Sequence, residues 1–309
     1  MSSRVTRSRS RGIAEQTTAT VADGESAQVL HLREPPPPSI DNLPSALVVR
    51  DTGLSVGDHR LLLLKQAKLA DPNGPIHGLI SKCSSQPLED RSVSLAQAAS
   101  STLVFAQKEA GTAVCISSSG LLLTCAHSVA DSAEDLDRAK DHWLLFADGR
   151  VVKARCTAWN ERRDLALLQV VASQVVPQGR KSTSSTFPAV TLAEGGPKRS
   201  AALLCIGHPG SEDLENELSG VATGYDVLHI SEGRYRGLDN GQDVQDNSAI
   251  GALKHDCWTY WGHSGAPLVD DRGQLVGLHS SWDDETGMRR GVAWVAIKAF
   301  LEEHAVVVV

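Results

Sequence analysis

Three short segments carry residue types that could act together on a carbonyl group: Thr124-Cys125-Ala126-His127, Arg163-Asp164-Leu165-Ala166-Leu167-Leu168 and Gly262-His263-Ser264-Gly265-Ala266-Pro267-Leu268-Val269. A serine hydroxyl is a poor nucleophile until a neighbouring imidazole accepts its proton as the new bond forms, and His127 is the candidate base. The imidazole must keep one tautomer and tolerate a transient positive charge, which a buried carboxylate on its far nitrogen provides; Asp164 is the candidate. Negative charge then develops on the carbonyl oxygen, and backbone N–H groups of Gly262 and Ser264, fixed by the Gly-x-Ser-Gly turn, could receive it as an oxyanion hole. Losing one such donor typically costs about 3 to 4 kcal/mol of transition-state stabilisation. Singly, a histidine is usually a core group, an aspartate a cap and a glycine-flanked serine a loop. The joint order His, Asp, Ser, with separations of 37 and 100 residues and apolar β-type runs around all three, points to one site.

These segments resemble the chymotrypsin-type (trypsin-like) serine proteases, and within them the Deg/HtrA-like and bacterial glutamyl-endopeptidase branches. Gly111-Thr112-Ala113-Val114 is similar to that family's strand before the histidine, and Leu275-Val276-Gly277-Leu278-His279-Ser280 to its substrate-binding strand after the serine. Gly291-Val292-Ala293-Trp294-Val295-Ala296-Ile297 is similar to the strand closing its pocket. The resemblance implies an all-β, chymotrypsin-like double β-barrel with a C-terminal helix, preceded by an irregular N-terminal extension. It implies a serine endopeptidase acting on polypeptides, with no cofactor and no metal. The alternative is a non-catalytic pseudoprotease that uses the same cleft to hold a peptide strand.

The resemblance also suggests a specificity pocket. Thr259, five residues before Ser264, and His279 match pocket residues of glutamyl endopeptidases, and Ser280 matches the serine whose backbone pairs with the substrate main chain. A hydroxyl and an imidazole facing one slot could bind a side-chain carboxylate or carboxamide, and a cationic histidine would favour the carboxylate. The expectation is Glu, Asp or Gln before the scissile bond. Trp258, Tyr260 and Trp261 crowd the same loop and could fill the pocket, while Glu212, Asp213, Glu215, Glu217, Asp239, Asp243 and Asp246 would repel acidic peptides. Digestive relatives have an aspartate directly before the nucleophile that pairs with a freed N-terminus. Here that residue is His263, so activation of that kind is not expected.

The elements that must position these residues follow from the pattern. From Thr102 onward, short β-branched and aliphatic runs alternate with Gly, Asp, Asn and Ser turns, as in an all-β barrel protein. Ala296 to His304 has helical spacing, with Ile297, Phe300 and Leu301 on one face. Little sequence follows it, so the PDZ domain of many Deg/HtrA proteins is not expected. Residues 95–309 read as the protease domain, 44–94 as an extension of unassigned role containing the apolar run Leu61 to Leu64, and 1–43 as a basic and Pro-rich tail and linker. Net charge of -7 and 22% charged residues give no basic footprint for nucleic acid. No apolar run reaches the roughly 20 residues that span a bilayer.

Arg4, Arg7, Arg9 and Arg11 lie among serines without an apolar core or cleavage site, unlike a secretory signal, so an intracellular setting, cytoplasm or nucleus, is expected. An organelle transit peptide is the other reading of this start. Six cysteines without a Cys-x-x-Cys spacing suggest reduced thiols. A turn at Ser117 to Gly120 would place Cys115 opposite about residue 123, out of reach of Cys125.

Overall fold

The computed structural model describes residues 32–33, 39–74, 91–107, 111–174, 186–215, 218 and 220–308. Arg4 to Arg11, the proline run, Cys83 and Glu217 lie outside the described residues. The chain runs through β1 (Leu32–Arg33), β2 (Asp41–Leu43), α1 (Val49–Thr52), α2 (Val56–Leu69) and α3 (Arg91–Ser100). The strands β3 (Thr102–Phe105), β4 (Thr112–Cys115), β5 (Leu121–Thr124), β6 (His142–Phe146), β7 (Val151–Asn160) and β8 (Leu165–Gln174) follow. Next come β9 (Ala202–Gly207), β10 (His229–Leu238), β11 (Leu253–His255), β12 (Pro267–Val269), β13 (Leu275–Trp282), β14 (Arg289–Ala293), α4 (Trp294–Glu303) and β15 (Val307–Val308).

Strands β3 to β8 pair in the order β8-β5-β4-β3-β6-β7, and the β7–β8 pairing closes this sheet into a barrel, with β2 added parallel to β8. Strands β9 to β14 form a second closed barrel, in the order β10-β11-β14-β13-β12-β9. This is the double β-barrel with a C-terminal helix that the sequence implies. Strands such as β3, β6 and β12 read as near-continuous apolar runs because both faces are covered, whereas β10 alternates buried and exposed residues. On β3, Leu103 and Phe105 fill the first barrel with Leu122, Leu144, Phe146 and Leu168. Val104, pointing the other way by the two-residue period of a strand, joins Val114, Leu123, Ile206, Leu278 and Phe300 in a core that bridges the barrels.

The extension contributes helices that lie on this frame. Ser55 caps α2, its Oγ accepting from Asp58 N at 3.1 Å. In the Leu61 to Leu64 run only Leu62 is fully buried, while Leu63 and Leu64 face outward. Helix α2 is held by polar anchors: Lys65, 1% exposed, donates to Phe105 O (2.8 Å) and Gln107 O (3.3 Å), and Gln66 donates to Gly149 O (3.0 Å). Burial pushes the Lys65 ammonium down to about 7, with Asp58 opposing.

Two details differ from the sequence reading. The turn Ser117 to Gly120 closes on Ile116 and Leu121, so Cys115 faces Leu122 rather than residue 123. Cys125, Cys156, Cys205 and Cys257 are free and buried, and Cys115 is buried with its Sγ donating to Ser117 O at 3.1 Å. The strand expected across Gly291 to Ile297 ends at Ala293, whose extended backbone starts α4 and turns Ala296, Ile297, Phe300 and Leu301 into the core.

Candidate active site

His127 and Asp164 come from the first barrel, Ser264 and Ser280 from the second, and the two sets meet at the seam. His127 sits in a single 3-10 turn, Ala126–Ser128, directly after β5, and Trp159 holds that turn by donating to Ala126 O at 2.9 Å. Asp164 ends the tight β7–β8 turn with φ +53, a left-handed conformation that Asp tolerates better than most residues. The preceding Arg163 pins this turn to α4 through paired 2.6 Å bonds to Glu303.

The buried Asp164 carboxylate gathers donors. His127 Nδ1 lies 2.8 and 3.0 Å from its two oxygens, His127 N donates at 3.3 Å and Ser280 Oγ at 2.8 Å. Burial pushes this carboxyl up, but the facing His127 and these hydrogen bonds outweigh it and hold it below the usual carboxylate value. Ser264 Oγ donates to Ser280 O at 3.1 Å. Ser280 therefore touches both the carboxylate and the serine, through its hydroxyl and its carbonyl.

The Ser264 turn is tight. Gly262 has φ +100 and Gly265 φ +83, both in the region that favours glycine, and a Cβ on Gly262 would lie 2.6 Å from His208 O. Ala266 N donates to His263 O (2.8 Å), and Gly265 N to His279 O (2.8 Å), tying the turn to β13. Among the described residues, the N–H groups of Gly262 and Ser264 are not spent on any other hydrogen bond.

Beside this turn lies a second polar cluster. His279 Nδ1 is 3.0 Å from His255 Nε2, and both rings are buried. Thr259 is buried, and among the described residues its Oγ1 has no hydrogen-bond partner; neither has His255 Nδ1 or His263 Nε2. Burial pushes His255 and His263 down to about 3, and burial with the neighbouring His255 puts His279 well below its ordinary value. Burial thus favours the neutral form of His279 over the cationic one that would select a carboxylate. The aromatic residues of the loop are engaged with one another: Trp258 packs edge-on against His263 (centroids 5.5 Å) and Tyr225 (5.0 Å), and Trp261 against Trp282 (4.5 Å). Several expected repulsive acids are also paired, Asp213 with Tyr260 Oη (2.6 Å), Asp243 with Arg162 (2.8 Å) and Asp239 with Arg290 (2.6 Å).

Cys125, His127 and Asp164 offer ligand atoms within 4.8 Å of one another. Burial, reinforced by Asp164, raises the Cys125 thiol well above its ordinary value. A thiolate, the form that binds metals, is therefore strongly disfavoured there. Sequence reasoning did not single out His255, nor the bond from the Ser280 side chain to Asp164. His255 carried no local signal, since it reaches His279 only through sheet pairing.

Residues 111–278, just over half of the chain, match the family of the trypsin-like peptidase domain. The chain belongs to this family of trypsin-like, serine-type endopeptidases, whose substrates are polypeptides. No curated protein matches the chain. Among solved structures it is similar to the inactive form of the Rv3671c protease (18% identity, TM-score 0.48, covering 71% of this chain and 96% of that one). It is similar also to a serine endoprotease from Yersinia pestis (18%, 0.48, 72% and 68%). The active form of Rv3671c from M. tuberculosis gives 19%, 0.48, 68% and 82%. Among the described residues, no helix is long and apolar enough to cross a membrane.

Proposed function

We propose that the chain hydrolyses peptide bonds with Ser264 as nucleophile, His127 as base and Asp164 as the group that orients and charge-stabilises His127. The observation that carries this reading is Ser280, which touches Ser264 Oγ through its carbonyl and Asp164 through its hydroxyl. Ser264 Oγ attacks the scissile carbonyl while its proton passes to Nε2 of His127, whose Nδ1–H stays on Asp164. The oxyanion is received by the N–H groups of Gly262 and Ser264. The C–N bond then breaks as His127 protonates the leaving amine. Water, deprotonated by the same imidazole, cleaves the resulting ester and restores Ser264.

The preferred residue before the cut carries a side-chain carboxamide or carboxylate. An unpaired buried hydroxyl is rare in folded proteins, and Thr259 Oγ1, without a hydrogen-bond partner among the described residues, is suited to a substrate acceptor or donor. Neutral His279 makes glutamine the better match. The catalytic unit spans residues 95–309, with helix α2 of the extension braced against it.

The test is labelling with a fluorophosphonate probe, which loses fluoride as Ser264 Oγ bonds to phosphorus. Labelling of the wild type that vanishes in Ser264→Ala supports the mechanism. A well-folded wild type that does not label would favour a non-catalytic peptide-holding module.

A further inference from the structure

We propose that Thr112 is a positioning residue that clamps the nucleophile turn from the opposite barrel, so that the N–H groups of Gly262 and Ser264 converge on one point. The role rests on the reading of Ser264 as nucleophile.

Thr112 opens β4 of the first barrel and is fully buried. Its N–H donates to Ser264 O at 2.7 Å and its hydroxyl donates to Gly262 O at 2.9 Å. The two carbonyls it holds belong to the same two residues whose N–H groups form the proposed oxyanion hole. The hydroxyl also accepts from His208 N (3.0 Å), and Thr112 O accepts from Thr124 Oγ1 (2.7 Å). Every polar group of the residue is thus committed to the turn or to its supports.

The consequence follows from peptide planarity. Holding Gly262 O fixes the 262–263 peptide, whose other end, His263 N, donates to Tyr260 O at 3.1 Å. Holding Ser264 O fixes the 264–265 peptide. The peptide carrying Ser264 N–H is caught between two fixed planes. Gly262 needs this restraint most, because a residue without Cβ at φ +100 has little steric resistance to rotation. In relatives with an aspartate before the nucleophile, an ion pair orders the turn. His263, buried and neutral, cannot form one, and the threonine clamp supplies the order.

The test compares Thr112→Val with Thr112→Ser, using the fluorophosphonate probe. Valine keeps the shape but loses the hydroxyl. The expected result is a maximal labelling rate reduced about tenfold to a hundredfold, with the half-saturating probe concentration within about twofold of wild type, since a misaligned donor weakens the transition state and not ground-state binding. Thr112→Ser recovers most of the rate. If Thr112→Val folds poorly, Thr112→Cys against Thr112→Ser asks the same question with the same side-chain branching, because a thiol is a weak donor. Wild-type maximal rate in the valine or cysteine variant, or a serine variant as slow as the valine one, overturns the clamp. Failure of the wild type itself to label would instead overturn the nucleophile assignment, and the clamp with it.

Discussion

Two buried polar clusters, one at the seam between the barrels and one on the second barrel, differ in one respect. Around Asp164 the carboxylate is satisfied by His127 and Ser280, and its neighbour Ser264 by a carbonyl. In the other cluster, Thr259 Oγ1, His255 Nδ1 and His263 Nε2 have no partner among the described residues. An unmade buried hydrogen bond costs about 1 to 3 kcal/mol, so the second cluster carries a burden that the first does not. The difference separates two jobs. On the proposed reading, the group that orients a base at every turnover is held by fixed bonds, whereas the groups that would recognise a side chain keep their bonding capacity open for it. The two clusters meet on β13, where His279 serves the open one and Ser280 the closed one.

The comparison can be broken at several points. The largest effect is expected from Asp164→Asn, which keeps the shape but favours the wrong His127 tautomer; kcat falls by about four orders of magnitude. Steady-state assays on any peptide the wild type cuts will show it, and a loss under tenfold would separate Asp164 from the chemistry. His279→Leu is expected to lower kcat/KM by about a hundredfold for peptides with Gln or Glu before the cut, with far less effect on labelling by a small fluorophosphonate. Equal losses in both assays would make His279 a structural residue.

Acidity probes the open cluster next. The folded-state values of His255 and His263, about 3, lie below the ordinary 6.5 of an unfolded chain. Between those values the unfolded state binds more protons, so their contribution to stability is full above about pH 6.5 and is lost as pH falls toward 3. Denaturation midpoints across this window should report an uptake of about two protons on unfolding from this pair. A flat profile would mean that the rings are not buried and neutral. Asp164 acts in a lower window: its depressed carboxyl adds stability above the ordinary 3.8, and this is lost as pH falls through its folded value.

The smallest effect discriminates most sharply. Thr259→Val removes an unpaired buried hydroxyl and should stabilise the fold by about 1 kcal/mol while impairing cleavage after Gln or Glu. Ser280→Ala, which strips a bond from Asp164, should do the opposite to stability. Thermal melts of both variants test this, and a shared direction would erase the distinction between the clusters.

His127, Asp164 and Ser264 could be picked out of the sequence because each sits in a short segment of small, apolar or glycine neighbours, and the structure joins them through His127–Asp164, Asp164–Ser280 and Ser280–Ser264 contacts. The barrels were legible for a related reason, since strands covered on both faces read as apolar runs broken by turns. Lys65 was not legible: its burial depends on two carbonyls some forty residues away, and nothing around it marks a buried charge. Thr112 was visible only as a strand residue, since its partners lie about 150 positions downstream. The neutrality of His279 was hidden because it depends on His255 and on burial, neither of which has a local pattern.

The most direct test of the whole account is to map cuts made in a peptide library by the wild type and by Ser264→Ala, using mass spectrometry. Cuts that cluster after Gln or Glu and disappear in the variant are the predicted result. Cuts that persist in Ser264→Ala, or a wild type that labels at Ser264 yet cuts without regard to those side chains, would contradict it.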